Sequence, residues 1–159
     1  MADNNKVEQG KAVFSSLRRV LDKNQWQYKM NEENLSITCV AKGEDLPIDL
    51  VIKVDAERML VILLSRMPFT IKDELRIEAA VAVSAVNNIL VDGCFDYDIT
   101  NGEIFFRMTN SYCDSTIGTD VLEYLVYCSC HTIDDYNEKL LLLSNGTLTL
   151  ESFISIINK

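Results

Sequence analysis

Three side chains suited to metal binding or nucleophilic attack fall within one short run, CSCH, as Cys128, Cys130 and His131. Thiolates and imidazoles are preferred zinc ligands, and a thiol beside an imidazole is the core of a nucleophilic pair. The spacing argues against both uses. On a helix successive residues turn by about 100°, so the three groups diverge, and no second CxxC or HxxxH supplies the missing ligands. His131 is the only histidine, so any scheme of histidine acid-base catalysis must use it, yet no acidic orienting group or oxyanion loop is recognisable. A small enzyme or metal-binding protein using Cys128, Cys130 and His131 is therefore the alternative reading, and no catalytic residue, cofactor or metal ligand is assigned. The acidic pairs Glu44-Asp45 and Asp134-Asp135 come without a phosphate-binding loop or a second converging carboxylate cluster. They are expected as solvated surface.

Composition narrows the class. A chain of 159 residues, 48% hydrophobic, supports one domain over residues 1–159 with a substantial core. A net charge of -9 repels phosphate backbones and anionic membranes. No nucleic-acid partner is expected. The longest apolar run, Met59 to Leu64, is far shorter than the ~20 residues of a membrane helix, and the polar start lacks a signal-peptide core. Five cysteines in apolar contexts, an odd number, fit reduced core thiols. These features predict a cytoplasmic protein without membrane association, in which the sequons at Asn34 and Asn145 are chance matches.

The elements follow from periodicity. Val7 to Leu21 repeats apolar residues at steps of three and four, a helix with one buried face. Three segments, LSITCVAK, IDLVIKVD and RMLVILLSRM, carry the branched residues of strands. Pro68 is expected to end the third, and Thr70 with Asp73 to cap a helix through about Leu90. A hairpin follows around Asn101-Gly102. Thr119 then opens a long helix, with a possible break near Thr132, that stops at Asn145-Gly146, and Thr149 to Ile157 forms a last short helix. The predicted order is α-β-β-β-α-β-β-α-α, an α+β fold with an antiparallel sheet of about five strands and helices mainly on one face.

Asn-Gly between alternating strands signals a two-residue turn. That turn would set Tyr97 opposite Phe106 and Phe95 opposite Met108 on the core face, and Asp96 opposite Arg107 on the other, as a structural ion pair. The run Val86-Asn87, Gly93, Phe95, Asp96, Asp98, Gly102, Phe106 and Arg107, followed by a helix with Tyr136 and a turn at Gly146, resembles the YbjN family of candidate bacterial sensory transduction regulators. That family is similar in fold to the type III secretion chaperones. The likeness covers roughly the second half of the chain, while the first half agrees in the order of its elements. Asn137 stands where the family often has proline, and Ser144-Asn145-Gly146 replaces a glycine pair. The resemblance implies a bacterial, non-enzymatic regulator or chaperone-like adaptor, often a homodimer, with no catalytic residues to transfer.

A surface is also legible. If helices cover one face, the alternate residues of the third strand should be polar, yet Leu60, Ile62 and Leu64 are not. A two-residue corner at Ala56-Glu57 would set Val51 opposite Ile62 and Lys53 opposite Leu60. Either an intrachain helix buries this second face, or Val40, Val51, Leu60, Ile62, Leu64 and Phe105 bury against a second copy or a protein client. The latter agrees with the resemblance. Tyr124 and Tyr127, on one side of the long helix with His131, form a second candidate recognition surface.

Overall fold

The computed structural model describes residues 2–158. Its frame is one antiparallel sheet in the order β1-β2-β3-β4-β6-β5, built from β1 (Tyr28–Asn31), β2 (Ser36–Lys42), β3 (Pro47–Asp55), β4 (Leu60–Thr70), β5 (Cys94–Asp98) and β6 (Glu103–Ser111). The helices are α1 (Ala2–Lys23), α2 (Arg76–Ile89), α3 (Thr119–Ser144) and α4 (Leu150–Ile157). A sixth strand is thus present beyond the five expected. β1 carries only YKMN, with no residue of its four buried and no apolar alternation to announce it.

All four helices lie on one side of the sheet. α1 and α3 cross the central strands, α2 packs beside β5, and α4 closes against α2 and α3. Alternation explains the choice of side: Leu50, Ile52 and Val54 of β3 and Val61 and Leu63 of β4 are buried, while the residues between them are not. Each such buried aliphatic contributes roughly 1.5–3 kcal/mol by leaving water. Against them α1 sets Phe14, Leu17 and Leu21, and α2 sets Ala79, Ala82, Val83 and Val86. The small residues of α2 let it approach the sheet closely.

Several boundaries differ from the sequence reading. β4 runs through Pro68 to Thr70, because the register slips between Arg66 and Thr70 and a proline without an N–H is tolerated at such an irregularity. Thr70 and Asp73 form no capping box. Instead a 3₁₀ turn at Asp73–Leu75 leads into α2, whose first residue follows Leu75 without a side-chain cap. α3 is continuous through Thr132, and Gly118 rather than Thr119 occupies its N-cap position. The cap at Thr149 is made, its Oγ1 accepting from the Ser152 N–H at 3.2 Å.

The two hairpin turns expected to hold two residues, β5–β6 and β3–β4, hold four each. Phe95 lies opposite Phe106, and Val51 opposite Leu64. In the first turn the Asp98 carboxylate accepts from the Thr100 N–H at 2.9 Å and Gly102 takes a φ of 76°. In the second, Met59 takes the positive φ, 57°. Both slips are by two residues, so the side chains that remain in the strands keep their predicted faces, while Ile99, which a two-residue turn would set on the core face, lies in the turn and is exposed.

Candidate functional site

The face of the sheet away from the helices is uncovered by any other element among the described residues. Register places on it one row that crosses all six strands: Lys29, Thr38, Val51, Leu64, Arg107 and Cys94. The row on one side contains Lys53 and Ile62, and beyond it stands Leu60. On the other side lie Val40 opposite Asp49, and Arg66 opposite Phe105. Val40 is 61% exposed and Val51 42% exposed, while Leu60, Ile62, Leu64 and Phe105 are half-buried by their neighbours alone. Next to Val40 and Val51 is a shallow depression of about 580 Å3, also lined by Tyr28, Lys29, Thr38 and Asp49. An apolar stripe rimmed by charges of both signs is the composition of a protein-binding surface, and it lacks the convergent polar groups of a small-molecule site.

The hairpin charges beside this stripe hold structure. Arg107 donates to Asp96 through Nε at 2.6 Å and Nη2 at 3.0 Å, a two-point pair made diagonally because Arg107 stands directly opposite Cys94. Those hydrogen bonds hold the Asp96 carboxyl below its usual range. The pair is nearly half exposed, so it contributes only ~0.2–1 kcal/mol. Because the folded value is depressed, its contribution is present above the unfolded carboxyl value of about 4 and disappears as pH falls through the folded one. Asp96→Asn is expected to cost up to ~1 kcal/mol in urea unfolding near neutral pH, and the gap to wild type should close on acidification. A gap that persisted in acid would mean the pair is not its source.

The remaining motif residues are architectural as well. Asn87 of α2 spans the outer edge of β5, its Nδ2 donating to the Phe95 carbonyl at 2.9 Å and its Oδ1 accepting from the Phe95 N–H at 2.8 Å. Gly93 has a φ of 74° and abuts the Phe106 ring. Phe95 stacks edge-on against Phe106 at 5.2 Å and against Tyr136 at 5.9 Å.

Tyr124 and Tyr127 do not join the sheet patch, since α3 lies in the helical layer on the opposite side. The Tyr124 hydroxyl donates to Asp92 at 2.5 Å, and Tyr127 leans on Trp26 with ring centroids 6.4 Å apart. Tyr127 lines a different cleft, of about 610 Å3, between α3 and the β2–β3 connection. Glu44-Asp45 and Asp134-Asp135 stay at the surface, as expected, but the two pairs line this one cleft, with the Glu44 N–H donating to Asp134 Oδ1 at 2.9 Å. Ninety positions separate them in sequence, and only the fold of the connection onto α3 brings them together.

Of the CSCH run, Cys130 and His131 line this cleft while Cys128 does not. Burial pushes the Cys130 thiol up to about 12, beside Cys39, which burial raises to about 11. Neither is a thiolate near neutral pH. The His131 ring is exposed and pairs with Asp135 at 3.1 Å. No group of three or more His, Cys, Asp or Glu side chains converges to hold a metal ion among the described residues.

The architecture is that of a YbjN-like α+β protein: an open antiparallel sheet with its helices on one side. The crystal structure of YbjN from E. coli, described as a candidate transcription regulator, matches with a TM-score of 0.56 at 13% sequence identity, over 79% of this chain and 91% of that one. At this identity the likeness establishes the fold. No family model matches the chain, and no curated protein matches its sequence. Among the described residues no helix is long and apolar enough to cross a membrane.

Proposed function

We propose that the chain is a non-enzymatic cytoplasmic protein-binding module, a YbjN-type regulator or chaperone-like adaptor of bacterial kind, that buries its uncovered sheet face against a protein partner. The observation that carries this reading is the apolar stripe Val51, Leu60, Ile62 and Leu64, which lacks cover from any other described element. The description of YbjN as a candidate transcription regulator is consistent with a regulatory role exercised through a partner. A net charge of -9 favours a protein partner over nucleic acid.

Ile62→Asp tests the face. The introduced carboxylate stands directly opposite Lys53 on the uncovered side, so the variant keeps its core. Affinity capture from the native host's lysate, read by mass spectrometry, should recover a protein with the wild type and lose it with the folded variant. Equal capture by both would remove this surface as the binding site.

A further inference from the structure

We propose that Asn145 is a site of spontaneous covalent modification, losing its side-chain amide to become aspartate or isoaspartate, while the fold shields the other Asn-Gly pair, Asn101-Gly102, from the same reaction. The Gly146 nitrogen gives up its proton and attacks Asn145 Cγ. The Cγ–Nδ2 bond breaks, ammonia leaves, and a cyclic imide remains. Water then opens the ring at either carbonyl: one opening gives aspartate, the other isoaspartate, in which the main chain runs through the side-chain carbon. Solvent water is the co-reactant. Glycine in the second position suits the attack, because no side chain crowds its nitrogen.

In both turns the asparagine Oδ1 accepts the N–H two residues on, from Glu103 and from Thr147 at 2.9 Å each, which draws electrons from Cγ. The glycines differ. Gly102 is buried, with its N–H donating to the Asp98 carbonyl at 2.8 Å and its carbonyl accepting from the Ile71 N–H at 2.9 Å. A Cβ on it would lie 2.6 Å from the Ile71 carbonyl oxygen. The Asn101 amide nitrogen is also tied, donating to Glu103 Oε2 at 3.1 Å. Cyclisation there must pull the β5–β6 turn away from Ile71. Gly146 is exposed, and Leu75 Cδ1, at 3.6 Å, is the nearest atom to an added Cβ. Its N–H makes one backbone bond, to the Leu143 carbonyl at 3.1 Å, at a helix end where such bonds open readily. The Asn145 ψ of -1° is therefore free to turn and close the ring. Lys72 helps as well: its ammonium donates to the Asn145 carbonyl at 3.0 Å, and a cation on that oxygen eases loss of the proton from the nitrogen of the same peptide unit. The change falls on the joint between α3 and α4. A carboxylate at the C-terminal end of α3 opposes the helix dipole, and isoaspartate lengthens the main chain leading to α4, whose Phe153 is wholly buried.

The test is incubation of the intact protein in mildly alkaline buffer, folded and in urea, with the amide-to-acid mass shift assigned to each asparagine by peptide mass spectrometry. Each hydrogen bond that must open is worth up to about tenfold, so the folded protein should convert Asn145 about 10- to 100-fold faster than Asn101. The unfolded chain should convert the two at similar rates. Three results overturn the proposal: Asn101 matching or outrunning Asn145 in the folded protein, neither converting there while the unfolded chain does, or the same preference for Asn145 in urea as in buffer.

Discussion

Gly93→Ala is expected to lower stability by about 2–5 kcal/mol, a large share of what a domain of this size possesses. Two costs combine. At a φ of 74° any side chain sits in the left-handed region, at about 1–2 kcal/mol for a non-glycine residue. The added Cβ would also lie 2.4 Å from Phe106 Cζ and 2.9 Å from its Cε2, with the Arg107 carbonyl at 3.2 Å. Phe106 is wholly buried and stacked on Phe95, so it cannot swing away, and overpacking of this kind costs about 1–3 kcal/mol more. Urea unfolding should show a lower midpoint. Gly118→Ala is the control, since its φ is -75° and nothing lies within 4 Å of the added carbon. Equal midpoints for the two variants would show that the β5–β6 end yields without strain.

Asn87→Ala should cost about 2–4 kcal/mol through a different mechanism. The amide is the only partner that reaches across from α2 to the outward N–H and carbonyl of Phe95. Truncation leaves a donor and an acceptor unpaired at a partly buried edge, each at about 1–3 kcal/mol. It also opens a strand edge to another chain. The expected result is a lower urea midpoint together with light scattering that rises with protein concentration. Asn87→Asp retains the acceptor and loses the donor, so it should fall between alanine and wild type in stability. A fully stable, monodisperse alanine variant would mean that water replaces the amide at no cost.

Legibility in the sequence followed the range over which each signal acts. The face assignment of β3, β4 and the hairpin depends on alternation alone, and it holds although two turns are longer than their residue types suggest, because an even slip preserves parity. The turns themselves were lost to local competition. Asp98 captures Thr100 with its own side chain, and Met59 adopts a positive φ that no residue-type rule anticipates. β1 was invisible because Tyr28–Asn31 borrows its pairing from β2 without a pattern of its own. At the candidate site the apolar character of Leu60, Ile62 and Leu64 was readable, whereas their lack of cover depended on where four helices settle. The meeting of Glu44-Asp45 with Asp134-Asp135 was likewise beyond any local signal.

The strand order also has a temporal meaning. β1 to β4 form an up-and-down meander in which each strand pairs with the one before it, so all its ladders close over short loops. β4 is then left with a bare edge until α2 has been passed and β6 arrives. α1 already rests on β3, with Lys6 donating to the Glu57 carbonyl and Arg18 to Glu32, and its tie to α3 comes later, through Asn24 donating to Glu123 at 2.8 Å across 99 positions of chain. Because loop closure grows more costly with length, the meander is the natural nucleus, and the hairpin and α3 condense onto it. On a ribosome the chain would therefore emerge with its β4 edge exposed, and β6, brought in with β5 by the tight turn at Gly102, acts as the clasp that ends that vulnerable interval.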